Sequence, residues 1–338
     1  MKKSILSVAA ICAFTTLAQE VPVPASRPMT PATPTMSPAA AAKRADKGPK
    51  APTYDEKADA AADIKAALAR AKKNNKRVLV QWGANWCGWC VVLADTMKSD
   101  GKISREMLYE YELVKVDMGR FDKHLDVAKA YGAEFKAIPY LTILDADGKP
   151  IVQQNTEPLE LKAEANAKPK LGHDTAKVLE FLKTHEAKPW VAADLEKAAL
   201  DKAKAEGKQV FLHFGAPWCG WCHRLEDWMA RPEINAILSK EFVDLKIDTD
   251  RMTGAADLVT RWRGSEKGGI PWFCFIAADG TKGPVSESDK GQNIGFPAQP
   301  DEVALFRAML TKSCKILSAE EIKTLGDSLE APKTAAGR

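Results

Sequence analysis

Trp86-Cys87-Gly88-Trp89-Cys90 recurs, residue for residue, as Trp218-Cys219-Gly220-Trp221-Cys222. Downstream of each copy stands an Ile-Pro pair, Ile138-Pro139 and Ile270-Pro271, and in both the proline follows the first cysteine by 52 residues. The whole set repeats at an offset of 132 positions. A lone CxxC is ambiguous between redox and metal chemistry. A tryptophan-led CxxC with a fixed downstream Ile-Pro, occurring twice at one period, marks a duplicated structural unit.

Reading outward from each CxxC gives the same order of elements. In the first copy, Ala61 to Lys73 has Ile64, Leu68 and Ala71 spaced along one helical face. Val78 to Trp82 reads as a strand that leads into the CxxC, and a helix then runs to about Lys98. Leu113–Val116 is extended, Val127–Tyr131 helical, and Tyr140–Leu144 pairs with Ile151–Gln154 across Asp145-Ala146-Asp147-Gly148. His173 to His185 closes the unit as a helix. The second copy repeats this with a helix at Ala192–Lys204, strands at Val210–Phe214, Phe242–Ile247 and Trp272–Ala277, and helices after the CxxC and at Pro300–Thr311. A last helix starts at Ser318, with Glu321 placed to complete a capping box. A βαβ unit followed by ββα predicts an α/β fold, a mixed central sheet flanked by helices in each unit.

The bulk numbers agree with two such units. A chain of 338 residues accommodates two domains of about 100–150 residues each plus tails. A formal net charge of +4 is too weak to argue for nucleic acid or an anionic membrane surface. Lys2-Lys3, an apolar run from Ile5 to Phe14 and the small-residue site Thr16-Leu17-Ala18 read as a signal peptide over residues 1–18. Bulky Ile11 ahead of Cys12 argues against lipidation there. That run is too short to span a bilayer, and nothing later is long and apolar enough, so a membrane-spanning protein is not expected. Residues 19–52 carry Pro22, Pro24, Pro28, Pro31, Pro34, Pro38, Pro49 and Pro52 among Ala, Thr and Lys, the composition of a disordered linker. Export places the protein in a periplasmic or secreted, oxidising setting, where disulfides persist.

Chemistry follows from where each cysteine pair falls. The first cysteine stands where a buried strand hands over to a helix, so unpaired backbone N–H groups and the helix dipole favour its thiolate. Two intervening residues put the second sulfur one turn further in, within reach of a disulfide. Cys87 and Cys219 are therefore the expected attacking thiols, and Cys90 and Cys222 the resolving ones, with Cys87–Cys90 and Cys219–Cys222 as redox disulfides. Trp86 and Trp218 offer an apolar face to a substrate. A cis bond before Pro139 and Pro271 is plausible, since it costs only about 0.5–1 kcal/mol at X-Pro, and would expose backbone groups of Ile138 and Ile270.

These residues resemble the thioredoxin-like superfamily, and the tandem arrangement with Gly-Ile-Pro-Trp is similar to exported bacterial members. The resemblance covers about residues 55–188 and 189–315 and implies two tandem thioredoxin-like domains, 53–188 and 189–315, with 316–338 as a C-terminal helix and tail. It assigns the family's active-site roles to Cys87, Cys90 and Pro139, and to Cys219, Cys222 and Pro271. It implies a thiol–disulfide oxidoreductase without cofactor or metal. The expected partners are cysteine-containing exported proteins and, for a reductase, a thiol electron donor in the membrane. Direction stays open: Gly-Trp between the cysteines matches neither strong oxidants nor thioredoxin, while Ile138 and Ile270 lean toward reduction or isomerisation.

Departures from the family pattern concern the proton. Thioredoxins keep a buried acid six residues before the first cysteine, where this chain has Gln81 and His213. The lysine expected on the neighbouring strand maps to Leu113 and Asp244. His213 with Asp244 is a candidate substitute proton relay, set against the commoner structural histidine. His223, next to Cys222, is expected to favour thiolate in the second unit when charged. Two rivals remain: a zinc site, disfavoured because the pairs lie too far apart in sequence, and a non-catalytic interaction module with structural CxxC disulfides. Cys274 reads as a buried core residue, Cys314 as free or paired with it, and Arg251–Lys267, with Trp262, as a solvated loop rather than a nucleic-acid surface.

Overall fold

The computed structural model describes residues 52–162 and 171–330. The expected signal peptide, residues 19–51 of the linker and the tail beyond Glu330 lie outside the described residues.

A first lobe contains α1 (Ala60–Asn74), β1 (Arg77–Gly83), α2 (Gly88–Ser99), α3 (Gly101–Glu110), β2 (Tyr111–Asp117), α4 (Leu125–Ala130), β3 (Tyr140–Leu144), β4 (Pro150–Asn155) and α5 (Thr175–Thr184). Its sheet runs β2-β1-β3-β4, with β1 parallel to β2 and antiparallel to β3, and β3 antiparallel to β4. The second lobe repeats this with α6 (Ala192–Glu206), β5 (Gln209–Gly215), α7 (Gly220–Met229), α8 (Pro232–Glu241), β6 (Phe242–Asp248), α9 (Ala255–Arg263), β7 (Trp272–Ile276), β8 (Lys282–Val285), α10 (Pro300–Ser313) and α11 (Ala319–Glu330). Its sheet order is β6-β5-β7-β8, with the same directions. The mixed sheets flanked by helices are those predicted.

Strand alternation builds two cores per lobe, one on each face. Val78, Val80 and Trp82 of β1 face α1 and α4, joining Ile64, Ala67 and Ala71. Leu79 faces the other way, into a core with Leu93, Ile103, Phe181 and Leu182. In β5, Val210, Leu212 and Phe214 pack toward α6 and α9, and Phe211 toward α7, α8 and α10. By the same period, Gln81 and His213 point to the face covered by the CxxC helices.

Three helices depart from the sequence expectation. Neither α3 nor α8 is anticipated there. Asp100 caps the first, accepting from Lys102 and Ile103 N–H, and Pro232 opens the second at its first turn. Arg251–Lys267 is not a solvated loop: it contains α9, and Leu258, Val259 and Trp262 at helical spacing are buried in the core. Helix α11 starts with the expected capping box, Ser318 and Glu321 bonding reciprocally. Its Leu325, with Leu317 before it, is buried in the second lobe's core, so α11 is part of that lobe.

The lobes meet through Arg251. Its guanidinium donates to both carboxylate oxygens of Glu110, at 2.9 and 2.7 Å, and to the carbonyls of Asn74 and Asn75 at 2.8 Å. Those carbonyls end α1, so a cation there also complements the helix dipole. Arg251→Ala leaves the Glu110 carboxylate without its bidentate partner, and unfolding by denaturant should show a loss of about 3 kcal/mol; Arg251→Lys recovers only part of it. His173, buried with neither ring nitrogen hydrogen-bonded among the described residues, has its pKa lowered by desolvation to about 4. The unfolded chain therefore binds a proton that the fold refuses, and stability falls as pH drops from about 6.5 toward 4. In His173→Phe, the thermal midpoint should decline less than in the parent across that window.

Candidate functional site

Both cysteine pairs sit at the handover from the central strand to the following helix. A turn closed by Cys87 N–H donating to Ala84 O, at 3.2 Å, carries the chain from β1 to α2; Cys219 N–H to Ala216 O, at 3.0 Å, does the same after β5. Cys87 is the N-cap residue of α2, and its sulfur accepts from Cys90 N–H at 3.2 Å. Cys219 caps α7 identically, its sulfur 3.1 Å from Cys222 N. Cys87 is disulfide-bonded to Cys90 and Cys219 to Cys222, with Cα separations of 5.2 Å in each. The sulfurs thus pair within each copy rather than gathering at one centre. Cys87 and Cys219 graze the surface, while Cys90 and Cys222 lie beneath them.

Facing each pair is the Ile-Pro loop. The Ile138-Pro139 and Ile270-Pro271 peptide bonds are cis. The Ile138 carbonyl oxygen lies 3.5 Å from Cys87 Sγ, and that of Ile270 lies 3.6 Å from Cys219 Sγ. Two residues absent from the sequence reading hold these loops. Thr156 Oγ1 donates to Pro139 O at 2.9 Å, and Asn293 Nδ2 donates to Pro271 O at 2.9 Å and Gly269 O at 3.0 Å. The tryptophans before the cysteines are more than half exposed, at 51% for Trp86 and 58% for Trp218. Each is steadied through its indole N–H, Trp86 to Gly119 O at 2.6 Å and Trp218 to Asp250 Oδ2 at 2.9 Å. A groove of about 450 Å³ lined by Phe214, Trp218, Val259, Arg263 and Ile270 runs beside the second pair.

The ground under the inner sulfurs differs between lobes. Gln81 Nε2 donates to Cys90 O at 3.1 Å. His213 Nε2 pairs with Asp244 Oδ1 at 2.9 Å, so the structure brings the two candidate relay residues together. Desolvation raises the Asp244 pKa, but the charge of His213 and the hydrogen bond to it outweigh that, with Lys73 and Lys246 adding, and hold the carboxyl below its ordinary range. The expected lysine position requires correction. Leu113 and Asp244 are in register with Leu79 and Phe211, whereas the residues opposite Gln81 and His213 are Lys115 and Lys246. Both lobes therefore carry a lysine across from the strand position where the family keeps its acid.

Lys246 leads to a residue that the sequence reading missed. Its ammonium bonds Glu226 Oε2 at 2.8 Å, and Glu226 is buried on α7, one turn past Cys222. A Cβ on Gly215 would lie 3.4 Å from Cys222 Sγ and 3.9 Å from Glu226 Oε1, so sulfur and carboxylate flank one point at the end of β5. His213, Glu226, Asp244 and Lys246 line one cavity of about 330 Å³. The first lobe has Ala94 at the corresponding helix position. The only sequence signal for Glu226 is its spacing, i+4 from Cys222 on a helix.

The remaining candidates are placed as follows. Cys274 and Cys314 are free; Cys274 is buried in β7, and desolvation pushes both thiols up to about 12, out of the reactive range. A ring nitrogen of His223 lies 2.8 Å from Pro217 O, on the turn that precedes Cys219. Among the described residues, no helix is long and apolar enough to cross a membrane.

Comparison with known proteins adds family likeness. A model described as thioredoxin-like matches residues 59–146, and a second, Thioredox_DsbH, described as a protein of unknown function (DUF255), matches 170–285. The protein disulfide-isomerase tigA of Aspergillus niger is 26% identical over 262 residues, covering 74% of this chain and 66% of its own length. The protein disulfide-isomerase erp38 of Neurospora crassa is 26% identical over 190 residues, 54% of this chain and 46% of its own. The chain thus spans less than two thirds of these relatives. A disulphide isomerase structure from Xylella fastidiosa Temecula1 is 33% identical over 39% of this chain and 94% of that one, with a TM-score of 0.33. With these family models lying over lobes of one sheet order, each opposing a CxxC to an Ile-Pro loop, the chain belongs to the thioredoxin-like superfamily.

Proposed function

We propose that this chain is a thiol–disulfide oxidoreductase working by dithiol–disulfide exchange at Cys87–Cys90 and Cys219–Cys222. The observation that carries the proposal is a vicinal sulfur pair capping a helix and facing a proline loop, twice in one chain. The capping sulfur accepts a backbone N–H and sits at the positive end of the helix, so its thiolate is favoured over a free thiol with pKa about 8.5. In the reductive direction, Cys87 or Cys219 thiolate attacks a substrate disulfide and expels one substrate thiolate. Cys90 or Cys222 then attacks the mixed disulfide, releasing the second thiol and leaving the enzyme disulfide. Two electrons pass to the substrate, and an external dithiol must return them.

Trp86 and Trp218 form the apolar rim, and the backbone of Ile138 and Ile270 meets an extended substrate segment. In the second lobe, Glu226 takes the proton of Cys222 as it becomes a nucleophile, and the cavity with His213 and Asp244 passes that proton to solvent. A cavity of that size has room for several waters. The Glu226 carboxylate also disfavours a nearby thiolate, opposing the effect expected of charged His223. We further infer export, from the leader-like residues 1–18. Its partners are then cysteine-containing exported proteins and a membrane-borne thiol donor, with the Ile-Pro loops leaning toward reduction or isomerisation.

Reduction of insulin by dithiothreitol should be accelerated by the intact chain and not by the Cys87→Ser, Cys219→Ser variant. Cys90→Ser and Cys222→Ser should each trap a mixed disulfide with a disulfide-containing peptide. No acceleration and no trapped species would assign the lobes to a non-catalytic interaction module instead. With the first site silenced by Cys87→Ser and Cys90→Ser, Glu226→Gln should slow resolution at the second site by about 10²-fold near pH 7. The loss should shrink as pH rises, because hydroxide then removes the thiol proton.

A further inference from the structure

The first lobe has Ala94 where the second has Glu226, yet something polar occupies the same ground. Tyr54, just ahead of α1, is fully buried and packs in one cluster with Ala84, Cys87 and Cys90. Its ring and hydroxyl fill the space that a Cβ on Gly83 would need. Gly83 ends β1 as Gly215 ends β5, and in the second lobe the equivalent point lies 3.4 Å from the inner sulfur. The Tyr54 hydroxyl thus stands at the first-lobe counterpart of a point that the inner sulfur approaches in the second, and Tyr54 shares one cluster with Cys90. The backbone of Tyr54 is clamped to the turn leading into Cys87: Tyr54 N–H donates to Asn85 Oδ1 and Asn85 Nδ2 donates to Tyr54 O, each at 2.9 Å. The second lobe has Pro217 at the position of Asn85 and no such clamp.

Among the described residues, that hydroxyl has no hydrogen-bond partner in the oxidised site. A buried unsatisfied hydroxyl costs about 1–3 kcal/mol, so its retention needs an explanation. Burial, with Asp117 nearby, raises the phenol above its ordinary range, so it remains a donor throughout the pH range of thiol chemistry. A disulfide sulfur, though it can accept as Cys87 does from Cys90 N–H, is a weaker acceptor than a thiolate.

We propose that Tyr54 donates a hydrogen bond to the Cys90 sulfur once the first site is reduced, stabilising the reduced form. The residue is thus a redox-dependent positioning group, satisfied in one state and orphaned in the other. The exchange keeps its balance: a donor dithiol loses two electrons and two protons to Cys87–Cys90 and becomes a disulfide, and Tyr54 keeps its own proton. The inference builds on the exchange reading but concerns the thiols themselves, so its test needs no protein substrate.

The test uses the full chain carrying Cys219→Ser and Cys222→Ser, so that only the first site titrates, with and without Tyr54→Phe. Three readouts are taken: the equilibrium with glutathione between pH 7 and 9.5, the pH dependence of Cys90 alkylation, and the unfolding midpoints of oxidised and reduced protein. Tyr54→Phe should lower the equilibrium constant for reduction about tenfold at the alkaline end, equivalent to about 30 mV, with a smaller effect at pH 7. The Cys90 alkylation pKa should rise by about one unit. The oxidised variant should be at least as stable as its parent and the reduced one less stable, a reversal that packing alone does not produce. Unchanged equilibrium and alkylation profiles, or equal stability changes in both states, would overturn the proposal. Failure of the exchange reading would show separately, as intact thiol equilibria with no insulin turnover.

Discussion

Everything in each lobe is organised around one contact, the acceptance of a backbone N–H by a sulfur at a helix N-cap. Cys87 and Cys219 occupy the place usually taken by Ser, Thr, Asp or Asn, and like them satisfy a donor that the helix cannot. The contact fixes the outer sulfur at the positive end of the helix and puts the inner one a turn below. The sheet order places β3 and β7 next to the central strand, so the Ile-Pro loop that precedes each must arrive opposite the sulfurs. Thr156 and Asn293 then hold the proline carbonyls from behind.

Duplication preserved this frame but not its underside. The outer residues, from Trp86 and Trp218 to the Ile-Pro loops, match position for position. Below them, the first lobe sets Gln81 and the Tyr54 hydroxyl, and the second sets His213–Asp244 and Glu226–Lys246 around a cavity. A neutral donor and a carboxylate act on a neighbouring thiolate in opposite senses. The lobes are also joined where this matters. Asp250, which holds the Trp218 indole, accepts from Tyr109 of the first lobe at 2.7 Å, and Lys246 lies 3.3 Å from Asn74 Oδ1.

The frame was legible because local patterns specify it. A CxxC after an apolar strand, an Ile-Pro at constant distance and a period of repetition all survive in one dimension. Helices α3 and α8 were harder to see because their signals, a lone Asp100 cap and a proline at the first turn, are short. Helix α9 was masked by Arg261 and Arg263, which alternate with the buried Leu258, Val259 and Trp262 and give the stretch a basic look. The register of β2 and β6 could not be counted from sequence, which misplaced the lysines by two residues, from Leu113 and Asp244 to Lys115 and Lys246. Glu226 and Tyr54 act from different elements, a helix and a pre-helical segment, and only folding brings them to the sulfurs.

The claim with most at stake is that the capping sulfur is the reactive one in both lobes. It is tested by reducing the chain, alkylating it for short times across pH, and mapping the modified cysteines by peptide mass. The account predicts that Cys87 and Cys219 react first, with apparent pKa values well below the roughly 8.5 of a free thiol, while Cys90 and Cys222 lag. Equal labelling within each pair, or earlier modification of the inner cysteines, would contradict it.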